Sequence, residues 1–167
     1  MIEGGQNYDA ARLMRPGLYP GDPMPSNVSN IAPDPWIRRS FDLGGIQLRV
    51  LVVDDNHNAA EAMAAYLAFE SMECRMAFGG LEAITIGTEW TPHVILMDIS
   101  MPGCNGYEAT FALRQDRRTS ETIILAFTAL NDDAEVHTYL ADHSFDGYCQ
   151  KGQPPSKLVT LLMSFAQ

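Results

Sequence analysis

Leu48-Arg49-Val50-Leu51-Val52-Val53-Asp54-Asp55 is the stretch on which the fold turns. Apart from Arg49 it is apolar and largely β-branched as far as Val53, and there it stops abruptly at two acids. A nearly continuous apolar run of this kind belongs to a parallel strand covered on both faces, whereas a strand with one wet face would alternate. His93-Val94-Ile95-Leu96-Met97 repeats the pattern and runs straight into Asp98.

Helical patterns alternate with these strands. The spacing predicts an alanine-rich helix over Asn58–Ser71, with Asn56 or Asn58 as N-cap. A short second strand, Cys74–Phe78, ends at Gly79-Gly80, and Leu81–Trp90 is the next helix. After the third strand come a helix over Gly106–Arg117 and a fourth strand, Ile123–Phe127, reaching Thr128. A weaker helix, Asp132–His143, precedes a fifth strand, Phe145–Gln150, which reaches Lys151. Pro154-Pro155 suits the first turn of the last helix, where Leu158, Leu161, Leu162 and Phe165 form a buried stripe. Five successive βα units predict an α/β fold: a five-stranded parallel sheet of flavodoxin-like order 2-1-3-4-5, helices on both faces, and right-handed crossovers. In such sheets ligands bind beyond the carboxyl ends of the strands, at the switch point between the first and third.

The chain has 167 residues, enough for one domain with a proper core, and a formal charge of −10. A net acidic surface repels phosphate backbones and anionic lipids, so neither nucleic acid nor membrane is an expected direct partner. The sequence has no apolar run long enough for a membrane helix and no signal-peptide pattern at its start, and a cytoplasmic location is expected. Residues 1–45 hold six of the ten prolines and six of the thirteen glycines and read as a largely irregular extension; residues 46–167 form the folded domain. Trp36, Ile37 and Phe41 around Arg38-Arg39 are the part of the extension suited to a packed turn. Cys74, Cys104 and Cys149 are widely spaced and read as small hydrophobes, not as a disulfide or zinc framework.

The strand ends carry the chemistry that the topology demands. Strand one supplies Asp54 and Asp55, strand three Asp98, strand four the hydroxyl of Thr128 and strand five the ammonium of Lys151. Converging carboxylates repel unless a cation sits among them, and hard oxygen ligands with water suit magnesium. A nucleophilic carboxylate, a metal and an ammonium are the parts needed to transfer a phosphoryl group to an aspartate. Any one acid after a strand is ordinarily a cap or turn residue; five polar residues at the ends of four strands are not explained that way.

The run Val50-Leu51-Val52-Val53-Asp54-Asp55-Asn56 resembles the opening of the receiver domains of two-component signalling. Val94 to Ala109, with Asp98, Met101-Pro102 and Gly106, is similar to that family's phospho-acceptor segment. Ile124-Leu125-Ala126-Phe127-Thr128-Ala129 and Gly147-Tyr148-Cys149-Gln150-Lys151 are similar to its fourth- and fifth-strand signatures. The resemblance covers about residues 47 to 167 and implies a response regulator of the single-domain chemotaxis type. It makes Asp98 the acceptor of a phosphoryl group from a sensor histidine kinase or a histidine phosphotransfer protein. Asp54, Asp55, Asp98 and the carbonyl of Ser100 would hold Mg2+, Asp55 more directly than Asp54. Lys151 would contact the phosphoryl oxygens, Thr128 would turn toward them, and Tyr148 would be the switch aromatic that follows. Ala129 would leave room for the donor imidazole.

Two departures stand out. Gly152 follows Lys151 where the family commonly has a proline, so the Lys151–Gly152 bond is expected to be trans and the loop differently shaped. By the same resemblance Ser100 and Leu130 occupy the positions that tune phosphoryl lifetime in the family; Leu130 is apolar and cannot position water, so slow self-dephosphorylation is expected. With no basic helix-turn-helix pattern after the last helix, output is expected through protein contacts, a homodimer or a phosphorelay, by a switch that is not a turnover enzyme. Three alternatives remain open at this point. One is a degenerate receiver that binds partners without phosphorylation, and one is the receiver of a hybrid histidine kinase. The third is a haloacid-dehalogenase-type phosphatase, against which Ser100 stands where a second aspartate is needed.

Overall fold

The computed structural model describes residues 40, 42–129 and 144–166 together with the backbone of 31–33. The elements are β1 Ile31–Pro33, β2 Arg49–Val53, α1 His57–Phe69, β3 Glu73–Ala77, α2 Gly80–Trp90, β4 Val94–Met97, α3 Gly106–Gln115, β5 Ile123–Thr128, β6 Gly147–Gln150 and α4 Pro155–Phe165. The helix expected over Asp132–His143 lies outside the described residues, as do Leu130 and the Trp36–Phe41 turn.

Strands β3-β2-β4-β5-β6 are parallel and adjacent in that order, which is the 2-1-3-4-5 arrangement expected. The sheet has one strand more than the sequence suggests. β1 pairs antiparallel with β6, within the stretch expected to be largely irregular. Proline is tolerated on an edge strand, where its missing N–H can face away from the ladder, and Pro33 is the last residue of this one. Its three residues are too few to show a period of two.

Burial explains the strand sequences. β4 and β5 are buried throughout and β2 from Val50 onward, because helices cover both faces of the central strands. β3 at the far edge alternates, with Glu73 and Arg75 exposed. On one face Ala60, Ala64 and Leu67 of α1 and Leu158, Leu161, Leu162 and Phe165 of α4 pack on Val50, Val52, Leu96 and Leu125. On the other, Ala83 and Trp90 of α2 and Ala109 and Leu113 of α3 pack on Leu51, Ile95 and Ile124. Asn56 caps α1 by accepting from the Ala59 N–H at 3.1 Å, and Asn105 and Glu108 form a reciprocal capping box on α3. Pro155 occupies the first turn of α4. No helix among the described residues is long and apolar enough to cross a membrane.

Candidate functional site

The acids stand where the sheet ladder ends, and the ladder holds their backbones. The Asp54 N–H donates to Ala77 O at 3.1 Å and the Asp98 N–H to Val53 O at 3.0 Å, so both residues extend the parallel pairing one step past their strands. The Lys151 N–H donates to Thr128 O at 2.8 Å in the same way. Three side chains from three strands are thereby aimed into one crevice by rigid backbone.

The two buried carboxylates are wired alike. Asp54 Oδ1 accepts from the Asn56 N–H at 2.9 Å, and Asp98 Oδ1 from the Ser100 N–H at 3.3 Å. Each bond shapes its own loop and leaves Oδ2 for the crevice. There the Lys151 ammonium donates to Asp54 Oδ2 at 2.6 Å and to Asp98 Oδ2 at 2.9 Å. Asp54 and Asp98 are 2% and 4% exposed, whereas Asp55 is exposed at the mouth.

Burial raises the Asp98 carboxyl above its usual range, and the charge of Asp54 adds to that; the hydrogen bond and charge of Lys151 and the Ser100 N–H pull it partly back. Burial alone would lower Lys151, but its hydrogen bonds to Asp54 and Asp98 and their charges reverse this and hold the ammonium above its ordinary value. One cation thus serves two buried anions, with a third carboxylate beside them. Single oxygens of Asp54, Asp55 and Asp98 all lie within 4.8 Å of one another. An octahedral magnesium with bonds of about 2.1 Å spaces its ligands roughly 3 to 4 Å apart, so the set needs only a small closure to fit. The donors are hard oxygens, the type that ion prefers.

Of the other residues singled out in the sequence, Thr128 is buried at the end of β5 and joined to Lys151 through its carbonyl. Ser100 and Ala129 are exposed in the loops after β4 and β5. Tyr148 is buried in the apolar layer that includes Ala109, Leu113 and Phe145. There is no cis peptide bond among the described residues, so Lys151–Gly152 is trans as expected, and Gly152 sits at φ +87°, a conformation a proline ring forbids. The loop after Lys151 therefore follows a path of its own.

Three contacts at the site were not read from the sequence, although Gly106 itself was marked there as the glycine that opens α3. A Cβ on Gly106 would lie 2.2 Å from the Asp98 carbonyl oxygen, so glycine lets α3 start directly against the Asp98 backbone. The Lys151 ammonium lies 5.7 Å from the centre of the Phe127 ring. His57, two residues after Asp55, stacks on Phe78 with ring centres 3.8 Å apart. An apolar strand residue and a lone histidine carry no local signal of such contacts.

Fold and site define a class, a parallel α/β domain with an acidic pocket and a lysine at the strand ends, and comparison with known proteins identifies it. The response regulator receiver domain family matches residues 50–163, more than half of the chain, and the protein belongs to that family. It is 33% identical over 111 residues to the DNA-binding response regulator MtrA of Mycobacterium tuberculosis, a match covering 66% of this chain and 47% of that protein. It is 35% identical over 117 residues to the regulatory protein VanRB of Enterococcus faecalis, covering 70% and 50%. The chain spans about half the length of these curated relatives. Among solved structures it is similar to the Vibrio cholerae chemotaxis protein CheY4, with a TM-score of 0.66 and 25% identity over 71% of this chain and 98% of that one. The BeF3-activated receiver domain of Klebsiella pneumoniae RstA gives a TM-score of 0.63 at 25% identity, covering 70% and 97%. The protein is a receiver domain of two-component signalling, a class of signalling switches.

Proposed function

We propose that this receiver is operated by phosphorylation of Asp98. The observation that carries the reading is the Lys151 ammonium shared between the buried carboxylates of Asp54 and Asp98, with Asp55 alongside. In the transfer, a carboxylate oxygen of Asp98 forms a bond to phosphorus as the bond from phosphorus to the donor nitrogen breaks. The leaving imidazole on a histidine kinase or phosphotransfer protein keeps that electron pair and takes up a proton. Asp54, Asp55, Asp98 and the Ser100 carbonyl would hold magnesium, which would supply positive charge against the phosphoryl oxygens when bound. Lys151 turns from Asp98 to the incoming phosphoryl group, and the Thr128 hydroxyl moves toward it. Ala129 leaves space for the donor ring. Tyr148, on the strand that leads to Lys151, carries the change outward.

Leu130 brings no group that could orient water, so the acyl phosphate is long-lived, and a half-life of seconds in magnesium buffer would contradict this. Output runs through contacts with other proteins, a homodimer or onward phosphoryl relay. The DNA binding in the name of MtrA belongs to a protein about twice as long as the matched region.

The test is intact-protein mass after incubation with acetyl phosphate and magnesium. The expected result is one added phosphoryl group, absent in Asp98→Asn and absent without magnesium. No gain with acetyl phosphate, nor with phosphoramidate as a nitrogen-linked donor, would make this a receiver that works unphosphorylated, with the Gly152 loop as the place to look for the cause.

A further inference from the structure

β6 is flanked on both sides. Along one edge it pairs with β5, Ala126 opposite Tyr148 and Thr128 opposite Gln150. Along the other it pairs with β1, Ile31 opposite Cys149, Ala32 opposite Tyr148 and Pro33 opposite Gly147. Tyr148 is therefore bracketed by β5 and by the N-terminal extension, and the strand leads directly to Lys151, whose N–H is bonded to Thr128. β6 thus links β1 to the site through Lys151. α4 lies beside β1 and completes the seat.

We propose that β1 is a built-in restraint on the switch: its pairing with β6 favours the unphosphorylated arrangement, and phosphorylation of Asp98 loosens it. The inference rests on Asp98 being the phosphoryl acceptor. β1 is seated while Lys151 is engaged with both Asp54 and Asp98. Phosphorylation requires Lys151 to leave Asp98 Oδ2 and Thr128 to turn inward, which displaces the carboxyl ends of β5 and β6. A strand held along both edges resists that displacement more than one held along a single edge. The hold is also weak enough to yield. Only Ile31 and Ala32 can donate backbone hydrogen bonds, since Pro33 has no N–H, and such small gains are set against the entropy of ordering the segment. Coupling between the two arrangements is reciprocal at equilibrium, and the pairing slows uptake by lowering the fraction of chains in the receptive arrangement.

The full-length chain tests this with two variants, by the rate of phosphoryl uptake from acetyl phosphate and magnesium followed by intact mass. Ile31→Pro/Ala32→Pro leaves β1 with no backbone donor, and uptake should rise about fivefold. In Ile31→Cys, oxidation onto Cys149 should fix the strand in its observed register, since paired strand residues lie within disulfide reach. Uptake should then fall by a similar factor and recover on reduction. Equal rates in wild type, the double-proline variant and the oxidised variant would overturn the restraint while leaving Asp98 as the acceptor. A reversed order of rates would do the same. Failure of the Ile31→Cys variant to form the bond would show that β1 is not seated on β6 in solution. A chain that takes up no phosphoryl group in any form would remove the receiver mechanism, and the restraint with it.

Discussion

Lys151 holds Asp54 and Asp98 at the carboxyl end of the sheet; at the amino end Arg114 holds Asp146. The second arrangement is closed. Arg114 gives Nε to Ser144 O at 3.1 Å, one terminal nitrogen to Ser120 O and Thr122 O at 3.1 and 2.6 Å, and the other to Asp146 Oδ2 at 2.6 Å. That carboxylate oxygen also accepts the Ile124 N–H at 2.8 Å. One anion meets one cation, and the rest of the guanidinium is spent on backbone carbonyls. The first arrangement is open: a single ammonium serves two buried carboxylates, with a third beside them and Asp98 pushed toward protonation. A balanced pair stabilises the fold. An excess of like charge costs stability and leaves an acidic cluster that a cation would relieve.

The sharpest way to break this comparison is to remove one acid from each end. Asp98→Asn should abolish phosphoryl uptake, yet its thermal midpoint should equal or exceed that of wild type. The raised carboxyl value means that ionised Asp98 costs the folded state stability at neutral pH, and the amide carries no charge. Asp146→Ala should do the reverse. It leaves Arg114 without its anion and the Ile124 N–H without its acceptor, a loss of about 3 kcal/mol in urea unfolding, with uptake by the folded fraction unchanged. A destabilised Asp98→Asn alongside an unaffected Asp146→Ala would invert the assignment of the two clusters.

Gly106→Ala sharpens the comparison by perturbing the open end without altering its charge. The new Cβ would sit 2.2 Å from Asp98 O and 2.8 Å from Ile99 Cα, both rigid backbone, so the start of α3 must shift. A cost of about 1–3 kcal/mol is expected, together with slower uptake, because the acceptor's own peptide moves. Normal stability and normal uptake would show that this close approach is not needed.

The convergence of Asp54, Asp55, Asp98, Thr128 and Lys151 at one edge was legible because parallel strands deliver their last residues there. An acid that ends an apolar run announces both the strand and the site. Asn56 as a cap and the stripe Leu158, Leu161, Leu162, Phe165 were legible for a similar reason, being local in sequence. β1 was not, because three residues ending in Pro33 show no period and their partner β6 lies more than a hundred residues away. Arg114 and Asp146 are 32 positions apart, and neither belongs to a motif that would pair them. The Gly106 contact and the positive φ of Gly152 are properties of backbone paths, which a residue's identity permits but does not specify.

The smallest effect is expected at the amino end of the sheet, where a histidine serves as a structural acceptor. His93 Nδ1 accepts the Arg49 backbone N–H at 2.9 Å, while the Arg49 guanidinium donates to Trp90 O and Thr91 O at 3.1 and 2.8 Å. Burial lowers the His93 value and the nearby charge of Arg49 lowers it further, only partly offset by Glu73. A protonated Nδ1 cannot accept, so the folded state favours the neutral ring. Its contribution is fully present above the unfolded value of about 6.5 and is lost as pH falls below that toward the depressed folded value. One proton limits the slope to about 1.4 kcal/mol per pH unit. Urea unfolding of wild type should therefore weaken between about pH 6.5 and 5, before most carboxylates titrate, and His93→Asn should be flatter over that window. Parallel pH profiles for the two proteins would show that the Arg49 N–H does not depend on a neutral His93. The amino end would then owe its stability to Arg114 and Asp146 without help from this ring.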